Sequence, residues 1–235
     1  MIACELIMFL RENEMAPAVA RWLVACDLHV KREFVTPWGI CDLVAANFNE
    51  NSVSHRLALG QKKSIRSLTR AILLLKVPDL ESGRSVSLKK LVNDCSVSLS
   101  ETKVKEELER LLGDKFLVRT KRGSLQKLNG WLPLHDRLVA VELKLSRIEE
   151  AMNQAKQNLG LGGESYVAFP AEVSKRILAK SEPWAKYFDA GVGILSVTKR
   201  TCVVVKQSRP TSAKIDSALQ LYAVDKFWQS RSRDN

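Results

Sequence analysis

Residues that commonly hold soft metals or form redox pairs are scarce in this chain. Its 235 residues include only three histidines, His29, His55 and His135, and none pairs at ligand spacing. That argues against a zinc hydrolase and against a Ser-His-Asp triad. The five cysteines (Cys4, Cys26, Cys41, Cys95 and Cys202) are odd in number, scattered and without CxxC spacing. Reduced, mostly core thiols in a cytoplasmic protein fit this usage better than a disulfide framework or a zinc site. No apolar run reaches the roughly 20 residues a membrane span needs. Residues 1–10 are apolar but carry Glu5 and no basic n-region, so a signal peptide is not expected. Internal repeats and low-complexity segments are also missing.

A hydrophobic fraction of 46% is enough for one large domain or two small ones. The net charge is +11, and it is unevenly spread: residues 53–130 hold 17 Lys/Arg against 8 Asp/Glu, a net +9, leaving +2 for the rest. A basic excess gathered in one third of the chain points to a polyanionic partner there, with a solvated basic surface as the alternative.

Periodicity divides the chain into three stretches. A helix is expected over 3–27, with Met15, Ala16, Val19, Trp22, Leu23 and Cys26 on one face and Glu12 at the end of that stripe. Pro17 splits this segment into two helices, with Glu12 near the start of the second. Glu12 is either a boundary residue or a buried functional carboxylate. Strands follow over 28–35, 40–48 and 53–59, with turns at 36–39 and 49–52. The strand over 40–48 is nearly all apolar, as in strands covered on both faces, yet contains Asp42.

From 64 the pattern becomes helical: helices over 64–77 and 86–95, then a third opened by Ser100, with Val104, Leu108, Leu111 and Leu112 inward. A basic hairpin is expected over 115–128. Three helices followed by a hairpin is the order of a winged helix, its second and third helices forming a helix-turn-helix. Strand and helix alternate again from 138: strand 138–145, helix 147–159, strand 165–169, helix 171–180, strands 192–198 and 202–206, and a last helix over 211–228.

The strand 138–145 carries the most telling motif. Leu138-Val139-Ala140-Val141 is buried in character, and Glu142-Leu143-Lys144 closes it. Charges at the end of a buried run must pair or bind a metal to offset their desolvation. Residues two apart share a strand face, so Glu142 and Lys144 look into one pocket while Val141, Leu143 and Leu145 pack on the other side. Glu101-Thr102-Lys103 repeats the triplet at a helix start, where it reads as a surface charge pair.

Outside the basic stretch, the element order with Glu12, Gly39-Ile40-Cys41-Asp42-Leu43-Val44, Glu142-Leu143-Lys144 and a helix containing Gln154-Ala155 resembles the restriction-endonuclease-like, PD-(D/E)xK superfamily of nucleases. The resemblance covers about 1–60 and 131–210. The proline that the motif places before its aspartate is replaced by Cys41, a position that varies widely in that superfamily. The resemblance implies an α/β fold, with a mixed sheet flanked by helices and a winged helix-turn-helix subdomain inserted in it. The expected division is 1–61 and 131–235 for the core and 62–130 for the insert. It further implies a Mg²⁺- or Mn²⁺-dependent DNA nuclease with Asp42 and Glu142 as metal ligands. Lys144 would position water and offset transition-state charge, Glu12 would act as an outer carboxylate, and Gln154 would orient water or phosphate. In the insert, Thr102, Lys103 and Lys105 would open a recognition helix, and Arg119, Lys121 and Arg122 would meet phosphates from the wing. Cutting both strands would call for two active sites, hence a homodimer. A non-catalytic DNA-binding regulator on a degenerate scaffold, and an RNA-processing nuclease, are the competing readings.

Overall fold

The computed structural model describes residues 9–96, 99–128, 134–161, 163–209 and 217–231. Along the chain, a 3₁₀ turn (Glu12–Met15) leads into α1 (Ala16–Ala25), then β1 (His29–Thr36), β2 (Gly39–Ala46), α2 (Glu50–Ala58), α3 (Leu68–Lys76), α4 (Leu88–Cys95) and α5 (Glu101–Gly113). There follow β3 (Leu117–Arg119), β4 (Leu125–Lys127), β5 (Leu138–Leu143), α6 (Ile148–Asn158), β6 (Glu164–Pro170), α7 (Ala171–Ala179), α8 (Ala185–Asp189), β7 (Gly193–Val197), β8 (Cys202–Lys206) and α9 (Ser217–Arg231). No described helix is long and apolar enough to cross a membrane.

The chain forms two compact units, one from 1–47 with 137–216, the other from 48–136 with 217–235. The first is an α/β unit built on a mixed six-stranded sheet in the order β1-β2-β5-β6-β7-β8. β2 runs antiparallel to both β1 and β5, β5, β6 and β7 run parallel, and β8 returns antiparallel on β7. Every residue of β5 is buried, as its unbroken apolar run requires of a strand with helices on both faces. On one face, Met15, Val19 and Leu23 of the α1 segment pack on Leu43, Val139, Val141 and Leu143. On the other, Ala151, Met152 and Ala155 of α6 and Val173 and Ile177 of α7 pack on Val167, Phe169 and Ile194. Burying each such side chain contributes about 1.5–3 kcal/mol.

The second unit contains α2 to α5, the short β3–β4 pair and α9. Val86 joins the hairpin through an isolated antiparallel bridge to Leu125, with N–H to O distances of 2.8 and 3.0 Å. Its core gathers Leu73 and Leu74 of α3, Leu91 of α4, Val104, Leu108 and Leu111 of α5, and Ala218 and Leu221 of α9. Arg56 is wholly buried in this unit. It donates to Asp225 Oδ1 at 2.9 Å and to the carbonyls of Gln61 and Lys63, and its guanidinium lies 4.2 Å from the Trp228 ring centre. The other oxygen, Asp225 Oδ2, accepts the backbone N–H of Ile65 at 2.5 Å. A buried pair of this kind is tolerated because each partner is hydrogen-bonded on several sides.

Three expectations change. Residues 53–59 are not a strand but most of α2: Asn49 Oδ1 accepts the Ser52 N–H at 3.0 Å as an N-cap, and the buried residues Val53 and Arg56 are three apart, a helical spacing. The alternation of Val53, His55, Leu57 and Leu59 imitated a strand. The edges of the middle unit lie at 47/48 and 136/137 rather than 61/62 and 130/131. The final helix also belongs to that unit, because its apolar face packs on α3 rather than on the sheet. Residues 3–8 of the expected opening helix, and 211–216 of the last, lie outside the described residues.

Candidate active site

Asp42 and Glu142 meet because of strand register. β2 and β5 pair antiparallel with Leu43 opposite Val141. One step on, Asp42 stands opposite Glu142, and both project to the α6 face, since neighbours along a strand alternate. Backbone pairing ends there and a side chain takes it over: Asp42 Oδ2 accepts the Leu143 N–H at 2.7 Å. The two carboxyl groups are within hydrogen-bonding reach of each other.

Burial pushes the Glu142 carboxyl up to about 7. The amide of Asn158, donating to Glu142 Oε1 at 2.6 Å, works against that rise, and the charge of Asp42 adds to it. Asp42 is also raised by burial, against the opposing pull of the Leu143 N–H, Glu142 and Lys144. The two carboxyls interact, so they titrate as a pair and not independently. Beside them, burial drives the Cys41 thiol well up, with Glu142 and Asp42 adding to the shift, so it is an inert packing group and not a nucleophile.

Lys144 is buried, with Nζ 3.4 Å from Glu12 Oε2 and 3.6 Å from Glu150 Oε1. Glu12 thus reaches the site through Lys144, and Glu14, whose Oε2 caps the Leu10 N–H, does not. Gln154 lies on α6 one turn after Glu150 and one turn before Asn158. Both of those touch the site, so the helical repeat aims Gln154 into the same space. Its Oε1 is buried and without a hydrogen-bond partner. A buried amide oxygen left unpaired is costly, and a water, cation or phosphate hydroxyl group would relieve it.

Sequence reasoning missed Asn158, Glu150 and Trp38. Asn158 was readable only as a polar residue beside the apolar stripe Ala151, Met152, Ala155, Leu159. Trp38, at the β1–β2 turn, donates its indole N–H to Asn158 Oδ1 at 2.9 Å.

Two carboxylates with an amide oxygen nearby suit a hard cation that keeps most of its water, and Mg²⁺ is held that way in many sites. Among the described residues no group of three or more His, Cys, Asp or Glu side chains is arranged to hold a metal ion.

In the second unit, Thr102, Lys103 and Lys105 are exposed on the first turns of α5, where Ser100 Oγ accepts the Lys103 N–H. Their charges are partly engaged. Lys103 lies 3.1 Å from Glu107, a buried carboxylate also held by Arg70, and Lys105 lies 2.6 Å from Glu101. Arg119 pairs with Glu109. Lys121 and Arg122 are exposed at the tip of the β3–β4 turn. Compared with known proteins, the chain matches no family model, no curated protein and no solved structure.

Proposed function

We propose that this chain is a Mg²⁺- or Mn²⁺-dependent DNA nuclease. In this reading the six-stranded unit is a restriction-endonuclease-like core, and α3, α4, α5 and the β3–β4 hairpin form a winged helix that grips duplex DNA. The observation that carries the reading is the juxtaposition of Asp42 and Glu142 on adjacent strands, beside a buried lysine and a buried, unpaired amide oxygen.

Asp42 and Glu142 would hold the cation. When bound, it supplies charge to polarise the phosphodiester and to acidify a water. The residues of the chain do the rest. Lys144, oriented by Glu12 and Glu150, would offset negative charge on the phosphoryl oxygens as phosphorus becomes five-coordinate. Gln154 Oε1 accepts a hydrogen bond from the attacking water and orients it. Lys121 and Arg122, with Thr102 and the α5 lysines, contact the duplex backbone and set its register.

The decisive experiment incubates the purified chain with supercoiled, linear and single-stranded DNA and with structured RNA, each with Mg²⁺, Mn²⁺ or chelator. Metal-dependent cleavage of DNA is expected. Salt-sensitive DNA binding with no cleavage in any metal would transfer the assignment to a non-catalytic regulator, and cleavage restricted to RNA would make the chain an RNA-processing nuclease.

A further inference from the structure

We infer that Asn158 is a positioning residue for Glu142, and that Trp38 holds Asn158 in the orientation this requires. The inference rests on the metal-site reading and adds residues to it.

The argument begins with the amide. Asn158 is 2% exposed and sits at the C-terminal end of α6. Its Nδ2 donates to Glu142 Oε1 at 2.6 Å and approaches Cys41 Sγ at 3.5 Å, while its Oδ1 accepts the Trp38 indole N–H at 2.9 Å. An amide has one acceptor end and one donor end, and an indole N–H can only donate. Rotating the Asn158 amide by half a turn would set two donors face to face at Trp38. It would also set oxygen against oxygen at Glu142. Trp38 therefore fixes the amide with its donor toward the carboxylate.

The result matches what the backbone does for Asp42. Leu143 N–H ties one oxygen of Asp42, and Asn158 ties one oxygen of Glu142. Each carboxylate keeps one side-chain oxygen not engaged by these ties, in a rotamer that is already set. Groups that orient a ligating carboxylate in this way commonly change metal affinity by about 10–100-fold when removed. Asn158 touches neither substrate nor cation in this scheme, so its effect must appear in metal affinity. Trp38 belongs to the tip of the β1–β2 hairpin and is 36% exposed, so its ring can be altered with little effect on the core.

The test is a calorimetric Mn²⁺ titration of the full chain, with no nucleic acid present. It compares wild type, Asn158→Ala, Trp38→Phe and the double variant, each checked for folded fraction by circular dichroism. The expected result is a loss of Mn²⁺ affinity of about 10–100-fold for Asn158→Ala. A smaller loss is expected for Trp38→Phe, and none beyond the single Asn158 change in the double variant. Wild-type affinity per folded molecule in Asn158→Ala overturns the positioning role, even if that variant is less stable. If Asn158→Ala fails to fold, Trp38→Phe decides: unchanged affinity overturns the inference and weakened affinity sustains it. A flat wild-type titration is a different outcome, because it overturns the metal site itself and the inference with it.

Discussion

The backbone N–H of Leu143 donates to Asp42 Oδ2 at 2.7 Å, so the residue between Glu142 and Lys144 is tied to the carboxylate on the neighbouring strand. Any shift of β5 against β2 would break this bond and part the two carboxylates together. Asp42→Ala and Glu142→Ala should each abolish cleavage. DNA affinity should stay close to wild type or rise slightly, because a negative charge is removed near the phosphates. Lys144→Ala should lower the rate by about 10²-fold or more. Cleavage rates and filter binding on the same preparations check this; full activity in all three variants would end the nuclease assignment.

Glu142 gives a signed pH dependence. Its carboxyl rises from an ordinary value of 4.5 to about 7 on folding, so between those values the folded chain keeps a proton that the unfolded chain releases. Stability from this group is full below about 4.5 and is lost as pH rises through 7. Glu142→Gln should flatten that part of the profile and be the more stable protein at pH 8 without metal. Adding Mg²⁺ at pH 8 should raise the melting temperature of wild type and not of the variant. Denaturant melts at five pH values, with and without Mg²⁺, would expose identical profiles if the idea is wrong.

The basic residues divide by what already engages them. Lys103, Lys105 and Arg119 have carboxylate partners, whereas Lys121 and Arg122 stand at a turn tip. Reversing Lys121 and Arg122 together should make the salt slope of DNA binding shallower by about 2 if each meets one phosphate. Reversing Lys103 should lower the stability of its unit too, since it helps neutralise buried Glu107. Binding isotherms at several salt concentrations, beside thermal melts, separate the two effects.

Asp225→Ala should destabilise the second unit by about 3–5 kcal/mol, because it strands the buried Arg56 guanidinium. Replacing both partners by apolar residues should cost much less. Urea unfolding followed through Trp228, which packs on Arg56, is the direct measurement, and equal costs for single and double variants would contradict the pairing argument.

Much of the α/β unit was legible because its elements obey one period each. The run from Leu138 to Val141 marked an interior strand, and the stripe Val19, Leu23 marked the helix that covers it. The motif spacing put Glu142 and Lys144 on one strand face, because residues two apart share a face, and Asp42 joins them where the β2–β5 register sets it beside Glu142. Other features had no such signal. Val53 and Leu57 satisfy a repeat of two and a repeat of four equally well, and only the Asn49 cap separates them. The stripe of α9 says that the helix is half buried, but not against which core. Asn158 is an ordinary polar residue until the chain folds; its meaning comes from Trp38, 120 residues away.

Both units are discontinuous, and biosynthesis meets that fact in order. When the ribosome has released the chain as far as Lys127, Asp42 is already made, but β5 and Glu142 are not. A stalled or clipped product of that length therefore carries one of the two paired carboxylates and no complete sheet. The second unit waits longer still, since Ala218, Leu221 and Asp225 follow every strand of the sheet in the chain and Arg56 lacks its Asp225 counter-charge until then. A partial chain thus leaves the apolar seat for α9 open, and exposed apolar surface of that kind makes such species prone to aggregate.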